Sequence, residues 1–102
     1  MLETSNANGQ IFTGNVQLVH AVGMHARPAV KLTKLAKKFE AQISVRVAGA
    51  AEWINAKSVA KIMAMRAAHG SIIEIKASGS DAEAAVAALV ELIAADFPDG
   101  IS

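Results

Sequence analysis

The feature that most constrains the fold of this chain is the two-residue period of apolar side chains in its short β-like segments. Every second residue of Ile43–Val47 is apolar, and the same period recurs in Ile73–Ala77. In a third segment, Gly14–His20, Val16 and Leu18 share one face. Such strands favour an antiparallel sheet that is covered on one side only, whereas strands buried on both faces are apolar throughout.

Three other segments have the period of amphipathic helices. The first runs from about Ala26 to Phe39, with apolar residues at i, i+3, i+4 and i+7. The second begins at Ser58 and includes Arg66, and Gly70 is placed to end that segment. The third follows Ser80-Asp81-Ala82-Glu83, which has the pattern of a capping box.

These segments predict the order β-α-β-β-α-β-α, with Glu52–Asn55 as a short return strand. We therefore predict an α+β open-faced β-sandwich, in which an antiparallel four-stranded sheet carries three helices on one face. The polar start predicts a flexible tail over residues 1–11, followed by one domain over 12–97 and a short tail over 98–102. A chain of 102 residues is long enough for one core.

Composition argues against several classes of protein. A formal net charge of +1 is unlike that of a protein that binds nucleic acid by neutralising many phosphates. No apolar run approaches the roughly 18 residues of a membrane-spanning helix, so we expect no membrane insertion. The absence of cysteine fits a cytoplasmic protein without disulfides. The three histidines show no i,i+4 pair with a carboxylate partner, so we expect no metal site.

The segment with the most distinctive chemistry is Gly23-Met24-His25-Ala26-Arg27-Pro28-Ala29, which joins the first strand to the first helix. Proline is compatible with a first helical turn because its missing N–H needs no partner there. The free backbone N–H groups of Ala26 and Arg27, with the positive end of the helix dipole, form an anion site. His25 can therefore hold a phosphoryl group, and the Arg27 guanidinium can help to neutralise it.

Spacing alone leaves a second interpretation open. A lone histidine is more often an ordinary surface or hydrogen-bonded side chain, which is what we expect for His20 and His69. The same alternative applies to Arg27 as a surface arginine.

The heptapeptide around His25 resembles the phosphorylation site of HPr, the histidine phosphocarrier family of the bacterial phosphoenolpyruvate:sugar phosphotransferase system. Asn55–Met63 resembles the family's segment leading into its second helix, and Gly70 and Gly79–Phe97 lie where that family has them. The resemblance covers about Asn15 to Phe97, and the family's open-faced β-sandwich agrees with the topology predicted from periodicity.

The resemblance implies that His25 accepts a phosphoryl group on ring Nδ1 from phosphorylated enzyme I and passes it to enzyme IIA domains. The protein would then be a stoichiometric carrier and not an independent catalyst, a cytoplasmic monomer that needs no cofactor. Arg27 would stabilise the phosphoryl group. Basic residues that match positions which the family uses towards acidic partners are Lys34, Lys37 and Lys61.

Several further residues carry two interpretations. Met24 and Val59 are either core residues or, by resemblance, border a docking surface together with Ala60 and Met63. Ser58 suits a helix N-cap. In some members of the family the matching serine is phosphorylated by HPr kinase/phosphorylase, which inhibits transfer, and that enzyme would then be a further partner.

Two departures from the family pattern bear on partner choice. Val22 stands where the family often has a small polar residue, and the loop over residues 48–54 is about two residues longer and includes Trp53. Two alternative functions also remain: a regulatory binding protein that uses the same surface without turnover, and a small-ligand or metal-binding sandwich. The presence of His25 counts against the first, and the lack of recognisable ligand groups counts against the second.

Overall fold

Four strands form one antiparallel sheet in the computed structural model, which describes residues 10–98. In chain order the elements are β1 (Ile11–Gln17), α1 (Ala26–Ala36), β2 (Gln42–Val47), β3 (Ile54–Asn55), α2 (Val59–Ala64), β4 (Ile72–Ser78) and α3 (Ala82–Ala94). The sheet order is β1-β4-β2-β3, and the helices cover one face. The predicted element order and the open-faced α+β sandwich are confirmed. Most of the tails predicted over residues 1–11 and 98–102 lies outside the described residues. The first tail is predicted too long, because Ile11 belongs to β1.

The core lies between the sheet and the helices. In β4 every second side chain is buried, as the two-residue period predicts, and in β2 Ile43 and Val45 are buried while Val47 is half-buried. The register places Val45 opposite Ile75 and Arg46 opposite Glu74, so apolar residues line one face and charged residues the other. The largest completely buried side chains include Leu32 of α1, Leu18 just after β1, and a group from α2, β4 and α3: Ile62, Ile73, Ile75, Leu89, Leu92 and Ile93.

Strand β1 begins three residues before the predicted start at Gly14 and ends at Gln17 instead of His20. Beyond Gln17, Leu18 still donates its N–H to the carbonyl of Ser71 at 2.8 Å and accepts from the N–H of Gly70 at 2.7 Å. The chain then turns away from the sheet, because the N–H of Gly23 donates to the carbonyl of His20 and closes a turn.

The first two helices are shorter than predicted. Helix α1 ends at Ala36. The residues up to Phe39 form turns with hydrogen bonds across three residues, such as that from the N–H of Phe39 to the carbonyl of Ala36. Helix α2 ends at Ala64, and Arg66 is not helical because its φ is 54°, in the left-handed region. Gly70 therefore lies in the turn before β4 and does not end the helix.

The predicted capping box at the start of α3 is wrong. The N-cap is Asp81, one residue after Ser80, and its side chain caps a different part of the molecule. The Asp81 carboxylate accepts the N–H of Glu40 at 2.9 Å and that of Ala41 at 2.8 Å. These bonds, chiefly the one from Glu40, lower the pKa of Asp81 and join the start of α3 to the segment before β2.

Candidate functional site

His25 is the N-cap residue of α1, and its imidazole ring is exposed. Its backbone is extended, with φ −96° and ψ −171°, and its side chain makes no capping hydrogen bond to the described backbone. The N–H of His25 donates to the carbonyl of Gly23 at 2.9 Å, and its carbonyl accepts the N–H of Ala29 at 3.0 Å. Backbone contacts therefore hold the residue while the ring is open to solvent.

The loop before His25 is held against the loop that follows α2. The N–H of Met24 donates to the carbonyl of Ala67 at 2.9 Å. Gly23 has φ 76°, and a Cβ atom added there would lie 2.5 Å from the same carbonyl oxygen. Only glycine suits this position, since both the backbone conformation and the close approach disfavour a side chain.

The first turn of α1 leaves two backbone donors directly after His25. Helical N–H groups in a first turn have no intrahelical acceptor. Pro28 lacks an N–H, and that of His25 is bonded to Gly23, so among the described residues Ala26 and Arg27 supply the free donors. The exposed Arg27 side chain adds a guanidinium two residues from the ring. The histidine, the two N–H groups and the arginine therefore belong to the start of one helix.

Ser58 is the N-cap of α2, as one of its two interpretations predicts. Its Oγ accepts the N–H of Lys61 at 3.3 Å. The preceding segment is also held, because Asn55 Oδ1 accepts the N–H of Lys57 and Lys57 Nζ donates to the carbonyl of Phe39 at 2.7 Å. The second segment of the resemblance is therefore a hydrogen-bonded entry into α2.

The other predicted surface residues differ in exposure. Met24 is only 5% exposed and lies in the core, so burial supports its packing role. Val59 is half-buried against that core, whereas the other predicted residues of α2 are exposed: Ala60, Lys61 and Met63. Lys34 and Lys37 are exposed near the other end of α1. At 1.5 Å per residue, these lysines lie about 14 and about 18 Å along the helix from His25.

The two departures from the family pattern lie in different places. Val22 is 67% exposed in the turn just before Gly23. Trp53 lies on the uncovered face of the sheet, where the Arg46 guanidinium is 4.3 Å and the Lys76 ammonium 4.4 Å from its ring centroid. Trp53 therefore packs on β2 and β4, and Val22 is the departure that adjoins the His25 loop.

His20 is a hydrogen-bonded side chain, as expected, but the sequence did not indicate its partner. Its Nδ1 lies 2.8 Å from Asp96 Oδ1, and its ring packs edge-on against Phe97. The partners are 76 residues apart, so no local pattern indicated the contact.

Residues 10–98 contain no group of three or more His, Cys, Asp or Glu side chains arranged to hold a metal ion. No helix in this range is long and apolar enough to cross a membrane.

Comparison of sequences finds a match over most of the described domain. The family model for the phosphorylation site of the HPr component of the phosphotransferase system matches residues 12–95. The phosphocarrier protein NPr of Escherichia coli is 36% identical over 84 residues, which are 82% of this chain and 92% of NPr. HPr of Neisseria meningitidis is 31% identical over 86 residues, with 84% and 94% of the two chains covered. The multiphosphoryl transfer protein of Vibrio cholerae is 38% identical over 89 residues, but the match spans 86% of this chain and only 22% of that longer protein.

Solved structures give the same result. HPr-C-His from Thermoanaerobacter tengcongensis superposes with a TM-score of 0.78 at 35% identity, covering 84% of this chain and 94% of the other. HPr from Bacillus anthracis superposes with a TM-score of 0.75 at 36% identity, covering 81% and 96%. With the family match across residues 12–95 and these related structures, the chain belongs to the HPr phosphocarrier family of the phosphotransferase system.

Proposed function

We propose that this protein carries a phosphoryl group on His25, accepting it from phosphorylated enzyme I and passing it to an enzyme IIA domain. The observation that carries the proposal is the exposed His25 ring at the N-cap of α1, free of any capping bond to the described backbone. The free N–H groups of Ala26 and Arg27 beside it support the same role. Membership of the phosphocarrier family makes a carrier more plausible than an independent catalyst.

The transfer step needs only one ring nitrogen. The lone pair of neutral His25 Nδ1 forms a bond to phosphorus as the bond between phosphorus and the donor atom breaks, and the donor atom keeps that electron pair. Passing the group to an acceptor reverses these roles. No cofactor enters either step.

The surroundings of His25 suit a group that must be released as readily as it is accepted. Backbone N–H groups at a helix start and the Arg27 guanidinium stabilise the added negative charge. Because Arg27 is exposed, solvent screens its attraction and limits the gain. Moderate stabilisation favours transfer in both directions over permanent retention.

For the partner surface we propose three exposed residues of α2, bordered by the half-buried Val59: Ala60, Lys61 and Met63. Lys34 and Lys37 extend its positive charge along α1 and would favour acidic partners. The cytoplasmic location and the monomeric state implied by the family resemblance remain predictions. One matched structure is an HPr dimer from Thermoanaerobacter tengcongensis, with 32% identity and a TM-score of 0.66, so sedimentation should accompany any functional assay.

For Ser58 we propose regulatory phosphorylation by HPr kinase/phosphorylase. The Oγ atom lies at the start of α2, where added negative charge is compatible with the backbone N–H groups. The modification would alter the partner surface, since Ser58 precedes Val59 and Ala60 directly. A kinase assay with ATP should give an acid-stable adduct that Ser58→Ala lacks, and persistent labelling of that variant would reject the assignment.

The main proposal is tested by incubation with enzyme I and phosphoenolpyruvate, followed by intact-mass measurement. The wild-type protein should gain one acid-labile phosphoryl group. His25→Ala should not be modified, whereas the control Ser58→Ala should keep the modification. A wild-type protein that stays unmodified, under conditions that charge a known HPr, would reject the carrier function.

A further inference from the structure

The end of α3 has a Schellman cap with an unusual residue at its central position. The N–H of Phe97 donates to the carbonyl of Leu92 at 2.9 Å, and the N–H of Asp96 donates to that of Ile93 at 3.1 Å. Asp96 follows the C-cap residue Ala95 and has φ 63°. Glycine is the usual residue at this position because it has no Cβ to oppose a left-handed backbone. The cap alone therefore does not account for an aspartate.

The Asp96 side chain has a partner in the loop that leads to His25. Asp96 Oδ1 lies 2.8 Å from His20 Nδ1, and the carboxylate accepts the ring N–H. The His20 ring also meets Phe97 edge-on, at 5.8 Å between centroids and an interplanar angle of 83°. Phe97 has φ 53° and is only 4% exposed, so the ring contact lies against a well-packed side chain.

The contacts of His20 continue along the backbone to the proposed phosphoryl acceptor. The carbonyl of His20 accepts the N–H of Gly23, and the carbonyl of Gly23 accepts the N–H of His25, each at 2.9 Å. On the other side of His25, Lys31 Nζ in α1 donates to the carbonyl of Phe97 at 2.8 Å. Residues 96 and 97 thus contact the chain five residues before His25 and six residues after it.

We propose that His20, Asp96 and Phe97 form a clamp that positions His25 for phosphoryl transfer, with His20 and Asp96 as positioning residues. The inference rests on the proposed carrier function of His25. Transfer of a phosphoryl group to a ring nitrogen requires alignment of that acceptor atom, and small displacements of such an atom slow a reaction strongly. The Asp96 side chain is half-exposed, and pairs of that kind contribute little to global stability. We therefore expect the His20–Asp96 pair to affect the geometry of the loop before His25 and not the melting temperature.

Asp96→Gly separates the role of Asp96 in the helix cap from its contact with His20, because glycine keeps the Schellman cap and removes the carboxylate. We expect the variant to melt at the wild-type temperature or above it. The amide hydrogens of Gly23 and His25 should exchange faster with solvent, and initial transfer from phosphorylated enzyme I should slow by at least about fivefold. Asp96→Asn keeps an oxygen that accepts the His20 N–H and tolerates positive φ, so it should restore most of the rate.

His20→Ala should slow transfer as Asp96→Gly does, and the double variant should be no slower than either single one if the two residues act as a pair. Glu91→Gln is the matched control, since it removes one negative charge from an exposed side chain in the same end of α3. It should leave the rate and the exchange of both amides unchanged.

The proposal requires slower transfer and faster exchange in Asp96→Gly at a melting temperature no lower than that of the wild type. Normal transfer, normal exchange, or a large fall in melting temperature would each overturn it. A wild-type protein that is not phosphorylated would reject the carrier function itself. The exchange of the Gly23 and His25 amides would then decide alone whether the clamp holds the loop.

Discussion

The backbone N–H of Met24 donates to the carbonyl oxygen of Ala67 at 2.9 Å, which joins the residue before His25 to the loop after α2. The Met24 side chain is buried in the core at the same time. The exposed histidine ring therefore projects from a backbone that is anchored on its N-terminal side. This arrangement makes the glycine next to Met24 a sensitive position.

Gly23→Ala is expected to lower the free energy of unfolding by about 2–3 kcal/mol, because the new Cβ would meet the Ala67 carbonyl and the backbone keeps a positive φ. Denaturant unfolding gives the value, and phosphorylation of His25 should slow as well. Gly49→Ala is the matched control, since Gly49 has φ 92° but nothing within 4 Å of an added Cβ. Equal losses in the two variants would show that the contact with Ala67 adds nothing to the backbone strain.

Ser58→Ala is expected to lower the free energy of unfolding by about 1 kcal/mol through loss of the α2 N-cap. Ser58→Asp should retain most of the stability, since aspartate is also a good N-cap. Ser80→Ala tests the corrected start of α3, where the cap position belongs to Asp81. We expect no change in unfolding for Ser80→Ala. A loss equal to that of Ser58→Ala would contradict the observed cap.

The Asp81 carboxylate predicts a defined pH dependence of stability. Its pKa in the folded protein is lowered from 3.8, chiefly by the N–H of Glu40, so the folded state favours the charged form. The resulting stabilisation of the folded state is complete at pH values above the ordinary pKa of 3.8. It is lost as the pH falls through the folded-state pKa. The free energy of unfolding, measured at neutral pH and in acid, should fall less in acid for Asp81→Asn than for the wild type. Identical pH profiles would refute this role.

Trp53 is expected to stabilise the uncovered face of the sheet without taking part in transfer. Trp53→Leu removes the ring that contacts Arg46 and Lys76 and should lower the free energy of unfolding by about 1–2 kcal/mol. Phosphorylation of His25 should be unchanged, because these contacts lie on the face away from the helices. If phosphorylation of His25 slows more than the loss of folded protein explains, Trp53 belongs to the partner surface.

The local features of the fold follow from local patterns. Alternation in Ile43–Val47 and Ile73–Ala77 predicts β2 and β4 because a strand exposes successive side chains to opposite faces. The proline and the glycine around His25 predict a turn that leads into a helix, and α1 begins at Ala26 as expected. The histidine, its arginine and the free N–H groups are close in sequence, so their proximity needs no tertiary information.

Contacts between distant segments required the tertiary structure. The sequence could not show that Asp81 bonds to the backbone of Glu40, or that Arg66 ends α2 in a left-handed conformation. Nor could it show that Asp96 meets His20, since 76 residues separate them and each has many alternative local partners. The sequence by itself determined the imidazole of His25 and its position at the start of α1. Only packing of the helices on the sheet decided what holds that group in place, because the contacts form between surfaces that no sequence period connects.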